Sequence, residues 1–569
     1  MQSLKFKQLL LLSLSTKSAN QFVFQERLNL ITAKDNSVGK STLVKLIFWT
    51  LGCDPVLDNK WQNLDCKTLL DFTVGDIDYR ISRYKNFIKL KQQDLETENF
   101  IKITGAFSKR LADIVGFRVL LANRSQNEHV LEVPPPAYYF SAFYIDQLKS
   151  WSKAWDNFES LQQYSNWKST VIQYHVGLIV PKYFEIEAEI YSKKNEERLA
   201  SNQLERINTA LEVVSSYVPD FFSTVDQAEF ASMTKEIEID LNKLSADQED
   251  VLEKLSLHES DKSYLDHQKI ISEKIIKELD NDYKFTIEYL PDDEVVCPLC
   301  GVVHENSIVN RASILTDKQQ AEYQLDEINK SIFKLEENII STKIKLDKIK
   351  NKIDEINKKY VLDSGDKKVK IENYIDAFAV SSVQRKVEKK RVEKASEVKL
   401  ISQDIKKLKT EQKALSDSTK IELIENSFVK TLVSFVGLLG ANSINLSDIN
   451  SPTDFNKIVK EGGAAEGTRG ILAYYLAIYS IIEKFGNEVV STMVIDTPNQ
   501  HEQSIKNYDS IVDLISNKLP QNTQIILCAM DNEQLRSFSS KANVIYLDDK
   551  KLLDDDPEKF TAVSSIFDF

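Results

Sequence analysis

The chain has 569 residues, of which 28% are charged, and its formal net charge is −13. This length predicts two or more structural units. The charged fraction, with only 15 glycines and 12 prolines, favours long solvated helices over a sandwich, a barrel or a disordered chain. No stretch approaches the roughly 18 apolar residues of a membrane span, so no membrane partner is expected. The net negative charge disfavours a surface that is basic throughout and binds nucleic acid, but it allows a local basic groove.

The five cysteines are too few and too scattered for a disulfide framework. Cys53, Cys66 and Cys528 stand singly and are predicted to be buried thiols. The expected compartment is therefore the reducing cytoplasm.

The N-terminal block, residues 1–178, alternates short apolar runs with turn signals. Residues 6–14, 21–24 and 28–32 are predicted strands, and residues 69–90 are predicted to form a meander of further strands. The apolar N-terminus superficially resembles a signal peptide but lacks a small-residue cleavage site. It is therefore interpreted as a buried first strand.

A phosphate-binding loop follows the third predicted strand. Its sequence matches GxxxxGK(S/T) except that the first glycine is Lys34, and an apolar helix at 43–51 comes next. Such a loop surrounds a β-phosphate with backbone N–H groups and points a helix N-terminus at it. Lys40 is predicted to reach the β- and γ-phosphates, and Ser41 to supply a hydroxyl to Mg²⁺. The predicted nucleotide-binding residues here are Asn36, Ser37, Val38, Gly39, Lys40, Ser41 and Thr42.

Two further elements are predicted to meet the nucleotide. Gln147 follows an apolar run that ends at Tyr144 and Ile145, and such a glutamine would touch Mg²⁺ and sense the γ-phosphate. A glycine-rich segment at 461–470 leads into an apolar helix at 471–482 and so presents free N–H groups to an anion. A mobile loop with a capped helix is the alternative. The predicted nucleotide-binding residues of this segment are Gly462, Gly463, Glu466, Gly467 and Thr468.

The C-terminal block, residues 426–569, supplies the acidic partner of the phosphate-binding loop. A predicted strand at 492–495 ends in Asp496, which is placed for a direct or an indirect contact with Mg²⁺, and the next residue is Thr497. The attacking water is predicted to be positioned by Gln500 or Glu502. Gln500 is preferred because an amide can orient a water without taking its proton.

The region between these blocks is predicted to be a helical hairpin. Apolar residues from Leu325 to Tyr360 recur at gaps of three and four over about five heptads, which indicates a coiled coil. The turn at 297–301 divides the region into arms of nearly equal length, so one antiparallel hairpin is expected. Pro219 and the segment 363–366 interrupt the two arms at similar distances from the turn, which indicates a joint. The predicted domains are 1–178, 179–290, 291–310, 311–425 and 426–569.

Cys297 and Cys300 at that turn form half of a Cys₄ zinc site, because Zn²⁺ takes four tetrahedral ligands. A second chain would supply the other pair and so join two hairpins tip to tip in a homodimer. His304 is an alternative third ligand, and an unmetallated turn remains open. A redox pair is disfavoured because no thioredoxin-like βαβ pattern surrounds the two cysteines.

These elements, in this order and split by a coiled coil, resemble the SMC family and the zinc-hook DNA-repair ATPases. The resemblance implies an α/β ABC-type P-loop ATPase head assembled from the N- and C-terminal lobes, with the hairpin inserted between them. It also implies ATP and Mg²⁺ sandwiched between two heads, the glycine-rich segment of one head capping the phosphates bound by the other. The chain departs from the family in its signature segment, in Thr497, where a catalytic glutamate is usual, and in Met530, where a switch histidine is usual. Slow hydrolysis is therefore expected.

The DNSVGKST loop, the IDTPNQ strand end and the CPLCGVVHENS turn are most similar to SMC-like ATPases of bacterial defence systems of the Lamassu type. That resemblance implies an ATPase that senses or engages invading double-stranded DNA and controls a partner nuclease or another effector subunit. The alternatives are a DNA-repair ATPase and a structural tether with negligible turnover, which the missing glutamate favours. An autonomous nuclease is disfavoured because the sequence shows no carboxylate cluster beyond the ATPase set.

Overall fold

Two parts of the chain fold as separate units in the computed structural model of the protein. One comprises Met1–Lys193 and Ile405–Phe569 and is called here the terminal unit; the other, Lys194–Asp404, is called the helical unit. The structure describes residues 2–35, 38–58, 61, 64–123, 131–216, 235–288, 294–296, 303–305, 308–359, 371–458, 464–499, 503–547, 552–567 and 569.

The strands come from both ends of the chain, apart from one short pair in the helical unit. They are β1 (Leu4–Ser13), β2 (Ser18–Val23), β3 (Leu28–Ala33), β4 (Cys66–Val74), β5 (Ile77–Tyr84), β6 (Phe87–Gln92), β7 (Glu98–Phe100), β8 (Leu121–Ala122), β9 (Leu131–Glu132), β10 (Tyr144–Ile145), β11 (Glu294–Val296), β12 (Val303–Glu305), β13 (Met493–Asp496), β14 (Ile525–Met530) and β15 (Asn543–Tyr546). The predicted strands of the N-terminal block fall on β1 to β6, and Leu9, Leu10 and Leu11 of β1 are fully buried. The prediction of a buried first strand is therefore confirmed.

Two sheets organise the terminal unit. An antiparallel sheet has the order β2, β1, β4, β5, β6, β7, and a parallel sheet has the order β10, β13, β14, β3, β15. Both β3 and β13 are buried at every position, as expected for parallel strands that are covered on both faces. Because β3 and β10 come from the N-terminal block and the other three strands from the C-terminal block, the predicted α/β unit assembled from both blocks is confirmed.

The helices are short in the terminal unit and long between the two blocks. They are α1 (Lys40–Thr50), α2 (Ser108–Val115), α3 (Ala137–Phe140), α4 (Trp167–His175), α5 (Pro181–Ser216), α6 (Lys235–Glu288), α7 (Ile308–Lys359), α8 (Ile371–Ala414), α9 (Ser418–Leu438), α10 (Phe455–Ile458), α11 (Ala464–Phe485), α12 (Ile505–Asn517), α13 (Arg536–Ser539) and α14 (Pro557–Ile566). Helix α1 contacts β3, β13 and β14 of the parallel sheet. Cys53, Cys66 and Cys528 are buried free thiols, as predicted.

In the helical unit, α6 and α7 pack along one another in antiparallel directions, with ion pairs from Lys262 to Glu336 and from Lys343 to Glu259. Every second predicted heptad position from Ile332 to Ile353 is buried, while Leu325, Ile328, Leu335 and Ile349 are half-buried. A repeat of seven residues places one face of α7 against its neighbours. The buried positions on that repeat are Ile332, Ile339, Leu346 and Ile353, exposed by 9%, 6%, 4% and 0%.

The helical unit departs from a single hairpin, because α5 and α8 share a core with α6 and α7. Lys386 pairs with Glu249 and Lys390 with Glu253, so α8 runs parallel to α6. A returning arm of one continuous hairpin would run antiparallel to α6. The residues that α5 and α8 contribute to this shared core are small or β-branched. These residues are Ala210, Ala379, Val380, Val383 and Val387. The predicted joint positions at Pro219 and 363–366 lie outside the described residues.

Among the helices of the described residues, none combines the length and the apolar character needed to cross a membrane.

Candidate nucleotide site

The phosphate-binding loop ends at Gly39, the N-terminal cap of α1, whose φ of 104° lies in the left-handed region that glycine adopts without steric cost. Helix α1 begins at the next residue, Lys40, three residues before the predicted start. The Lys40 ammonium donates to the carbonyl of Asp35 at 2.9 Å and so closes the loop. Burial lowers the pKa of Lys40, against the opposing effects of Cys528, Asp496 and Asp35. Val38 and Thr42 are half-buried, and the predicted residues Asn36 and Ser37 lie outside the described residues.

Three predicted Mg²⁺ residues meet at the N-terminus of α1. The Ser41 hydroxyl lies 3.0 Å from Gln147 Oε1 and 3.1 Å from Asp496 Oδ1. Gln147 follows β10 and Asp496 ends β13, so the carboxyl ends of neighbouring parallel strands bring them together. A hydroxyl has one hydrogen to donate, which can satisfy only one of these two acceptor oxygens at a time. The Ser41 hydroxyl is therefore shared between two acceptor oxygens.

Asp496 has the features of an anionic metal ligand. It is 1% exposed, and its Oδ2 is buried without a hydrogen-bond partner. Burial raises the pKa of Asp496 to about 6, and hydrogen bonds from Ser41 and Thr497 oppose that rise. An orphaned carboxylate oxygen within a set of oxygen donors fits Mg²⁺, which prefers oxygen ligands and few protein contacts. Ser41, Gln147 and Asp496 are the residues that would hold the ion.

The loop that carries Gln147 is fixed by its neighbour Asp146. The Asp146 carboxylate is buried and accepts hydrogen bonds from the N–H groups of Leu148, Lys149 and Ser150. Further along, Trp155 donates from its backbone N–H to the Tyr475 hydroxyl at 2.6 Å and from its indole to the Tyr474 hydroxyl at 3.1 Å. The loop is therefore attached to α11, which follows the glycine-rich segment.

The position after Asp496 is strained. Thr497 has a φ of 59°, which is unfavourable for a β-branched residue. Its N–H donates to Cys528 O at 2.9 Å, and its hydroxyl donates to Asp496 Oδ1 at 3.1 Å. Thr497 thus orients Asp496 but has no carboxylate to activate water. The predicted water-positioning residues Gln500 and Glu502 lie outside the described residues.

The glycine-rich segment continues into α11, which begins at Ala464 rather than at the predicted residue 471. Glu466 in its first turn accepts hydrogen bonds from the N–H and the hydroxyl of Ser443, at 2.7 and 2.8 Å, and these lower the pKa of Glu466. The Thr468 hydroxyl donates to Ala465 O at 2.8 Å. A Cβ added to Gly467 would meet no atom within 4 Å. Gly462 and Gly463 lie outside the described residues.

Gln503 is a residue that sequence reasoning missed. Its amide donates to Ala465 O at 2.9 Å and to the Thr468 hydroxyl at 3.2 Å, and its Oε1 accepts from Arg469. The residue therefore joins the loop after Asp496 to the first turn of α11. Nothing in the sequence marks it, because a glutamine in a polar loop is ordinary and its partners lie more than 30 residues away.

The predicted zinc ligands Cys297 and Cys300 lie outside the described residues. His304 belongs to β12, whose backbone pairs with β11. Within the part of the chain that the structure describes, no group of three or more His, Cys, Asp or Glu residues is placed to hold a metal ion. The zinc site stays a prediction.

Two relatives match the chain along most of its length. It is 22% identical over 574 residues to the Lamassu protein LmuB of Bacillus cereus strain VD014, covering 97% of this chain and 95% of that protein. It is 23% identical over 498 residues to the Lamassu protein LmuB of a Bacillus species, strain NIO-1130, covering 84% and 85%. No protein-family model matches. The predicted resemblance to a protein of a Lamassu system is confirmed by these relatives.

Solved structures give weaker likenesses. An Smc head domain with a coiled coil and joint from Pyrococcus yayanosii is 13% identical, with a TM-score of 0.39 and coverage of 99% of this chain and 100% of that chain. The recombination mediator RecF with ATP is 11% identical, with a TM-score of 0.30 and coverage of 97% and 99%. Both TM-scores are too low to establish a shared fold.

Proposed function

We propose that this chain, which is similar to Lamassu LmuB proteins over nearly its whole length, is the SMC-like ATPase of a Lamassu-type defence system. The observation that carries the ATPase proposal is the meeting of Ser41, Gln147 and Asp496 at the N-terminus of α1. These residues come from three separate parts of the chain. Their convergence beside a phosphate-binding loop has no evident structural purpose, since it leaves a buried carboxylate oxygen without a partner.

Each residue has a role that its position supports. The N–H groups at the start of α1 and the Lys40 ammonium would bind the β- and γ-phosphates. Mg²⁺ held by Ser41, Gln147 and Asp496 would neutralise phosphate charge. Thr497 holds the Asp496 carboxylate in place through its hydroxyl. Gln500 or Glu502 would orient the attacking water, and turnover is expected to be slow because neither directly follows Asp496.

The mode of dimerisation and the activity of the dimer are proposed from the resemblance to SMC-like ATPases. Two ABC-type heads would enclose ATP, with the segment around Gly467 of one head facing the phosphates of the other. The coiled-coil arms would join a second copy through a zinc hook at Cys297 and Cys300. The dimer would engage double-stranded DNA and control a partner nuclease or another effector. About half a zinc per chain, and a dimer that is lost in the Cys297→Ser/Cys300→Ser variant, would support the hook.

The ATPase proposal is tested on the full chain with and without linear double-stranded DNA. ATP affinity is measured by calorimetry and phosphate release by a coupled assay, for wild type, Lys40→Ala and Asp496→Asn. Lys518→Ala, an exposed lysine at the end of α12, is the matched control. We expect Lys40→Ala to lose ATP binding and Asp496→Asn to lose turnover. The control is expected to behave as wild type. Phosphate release that persists in both variants would refute the assignment.

A structural tether is the second candidate, and Thr497 favours it, because this residue cannot act as a general base where the resembled ATPases carry a glutamate. A tether would bind ATP and dimerise with negligible phosphate release, and DNA would not change that rate. Turnover that DNA stimulates and that disappears in Lys40→Ala would exclude the tether.

A further inference from the structure

A segment near the C-terminus lies against the phosphate-binding loop. Residues 552–556, called here the C-terminal strap, lead into α14. Ala19 at the start of β2 donates its N–H to Asp554 O at 2.9 Å, and Asp554 donates its own N–H to Ala19 O at 3.1 Å. The strap is therefore tied to the antiparallel sheet by a pair of main-chain hydrogen bonds.

The far end of the strap is also anchored. Asp556 caps α14 by accepting a hydrogen bond from the N–H of Glu558 at 2.9 Å. Val563 on α14 and Phe567, the residue after its end, are buried against β1, β2 and β4. The residues that they pack against are Leu10, Leu12, Ala19 and Leu69. The strap is thus held in place independently of the phosphate-binding loop.

Leu552, the first residue of the strap, packs on Gly39. It is 4% exposed and belongs to the same apolar core as α1. A Cβ added to Gly39 would lie 2.8 Å from Leu552 Cγ and 3.0 Å from Leu552 Cδ1. The leucine side chain therefore occupies the space beside the glycine where any other residue would place its own side chain.

Gly39 needs such a neighbour because of its conformation. Glycine reaches a φ of 104° without strain, but it also reaches many other conformations and so loses more freedom than any other residue when it is fixed. Its carbonyl accepts the hydrogen bond from Leu43 N–H at 2.9 Å that starts α1, and the next residues are Lys40 and Ser41. Any movement of Gly39 would therefore move the phosphate-binding end of α1.

We propose that Leu552 is a positioning residue of the nucleotide site, which holds Gly39 in its left-handed conformation and so presets the N-terminus of α1 for a phosphate. This inference rests on the proposed function, since it names a residue that prepares the same site. Fixing the backbone of one residue before binding changes affinity by roughly tenfold. Leu552 has no polar atom to contact phosphate, so its effect would be indirect.

Leu552→Ala tests this in the full chain, and Leu552→Met, which keeps the side-chain volume, tests rescue. Leu553→Ala is the matched control, because Leu553 is the next residue and is half-buried against the same core. The Kd for ATP with Mg²⁺ is measured by calorimetry. Hydrogen exchange of the peptide that spans residues 34–43 is measured without nucleotide. We expect an approximately tenfold weaker Kd and faster local exchange in Leu552→Ala, with both near wild type in Leu552→Met and Leu553→Ala.

Unchanged affinity and exchange in Leu552→Ala would overturn the inference, and so would equal changes in Leu553→Ala. A merely structural role would speed exchange across the terminal unit rather than at residues 34–43. Failure of the proposed function is recognised separately, as a wild-type chain that does not bind ATP. The exchange measurement needs no nucleotide and still tests the contact in that case.

Discussion

The terminal unit and the helical unit are held together in different ways. In the terminal unit one continuous core joins both sheets and α1, and side chains as large as Trp155 and Tyr475 are fully buried in it. In the helical unit the buried residues form a stripe, while Tyr323 and Phe333 on α7 are 66% and 63% exposed. Interlocked aromatic side chains accept few alternative packings. A stripe of apolar residues at constant spacing determines which face of a helix is buried, but not which other helix packs against that face.

The largest effect is expected where the core of the terminal unit buries charge. His175 and Glu488 are both fully buried and joined through Nδ1 and Oε1, and the His175 ring stacks on Phe117. Burial raises the pKa of Glu488, and His175 opposes that rise. His175→Leu would leave the carboxylate without its partner and is expected to cost about 3–5 kcal/mol. The free energy of unfolding from urea titration measures the loss.

The double variant His175→Leu/Glu488→Leu is the control, because it removes both polar groups and is expected to recover most of the loss. The pH dependence of the free energy of unfolding follows from the raised pKa of Glu488. A carboxyl whose pKa is raised in the folded state costs stability as the pH rises above its unfolded pKa; the cost is complete above the folded pKa and absent below the unfolded one. The loss in His175→Leu is therefore expected to shrink as the pH falls. Equal stability of the single variant and wild type at pH 7 would show that the pair is not needed.

The next largest effect is expected on the buried stripe of the helical unit. Ile339 on α7 is 6% exposed and its neighbour Ile340 is 59% exposed. Ile339→Ala removes buried methyl groups and is expected to cost about 2–4 kcal/mol, whereas Ile340→Ala is expected to cost little. Hydrogen exchange of peptides from α6 and α7 measures the difference. Similar exchange in the two variants would mean that the seven-residue repeat does not determine which face is buried.

The sequence predicted more of the terminal unit than of the helical unit, because local patterns reveal single elements and not the contacts between distant ones. Alternating apolar runs and the GKST loop are local patterns, and they located β1 to β6 and α1 to within a few residues. The heptad repeat correctly placed Ile339 on the buried face of α7. It did not predict that α8 runs parallel to α6, because a repeat in one helix carries no information about a third or fourth helix. In the terminal unit the same limit hides Gln503 and Leu552, whose partners are distant in sequence. The residues that the sequence singled out as Mg²⁺ ligands did meet, since the ends of parallel strands fix their meeting point.

A smaller effect is expected from the charges across the helical unit. Lys386 pairs with Glu249 and Lys390 with Glu253, and both lysines are more than half exposed. Exposed pairs contribute little and are screened by salt. Lys386→Ala/Lys390→Ala is expected to destabilise the contact between α6 and α8 only slightly in 0.05 M salt. In 0.5 M salt the difference from wild type should vanish.

Exchange rates of α6 and α8 peptides at the two salt concentrations measure this effect, with Lys254→Ala as the control. Lys254 also pairs on the surface, but with Asp250 of its own helix. A difference that persists in 0.5 M salt would show that the lysine stems pack against the stripe, so that the charge is not the main contribution.

The smallest effect concerns the first turn of α11, on the exposed rim of the terminal unit. Two hydrogen bonds from Ser443 lower the pKa of Glu466 below its usual value of 4.5. A carboxyl with a lowered pKa contributes stability that is complete above the unfolded pKa and is lost as the pH falls through the folded one. Ser443→Ala removes the hydroxyl but keeps the N–H, and the partly exposed site limits the loss to about 0.5 kcal/mol at pH 7. The difference from wild type should disappear below the folded pKa, where both proteins carry a neutral Glu466. Ser480→Ala, which removes a hydroxyl on α11 that donates to the carbonyl of Leu476 and not to a carboxylate, should show no such pH dependence. If the difference between Ser443→Ala and wild type stayed constant from pH 7 to pH 3, the hydroxyl would act through packing and not through the charge of Glu466.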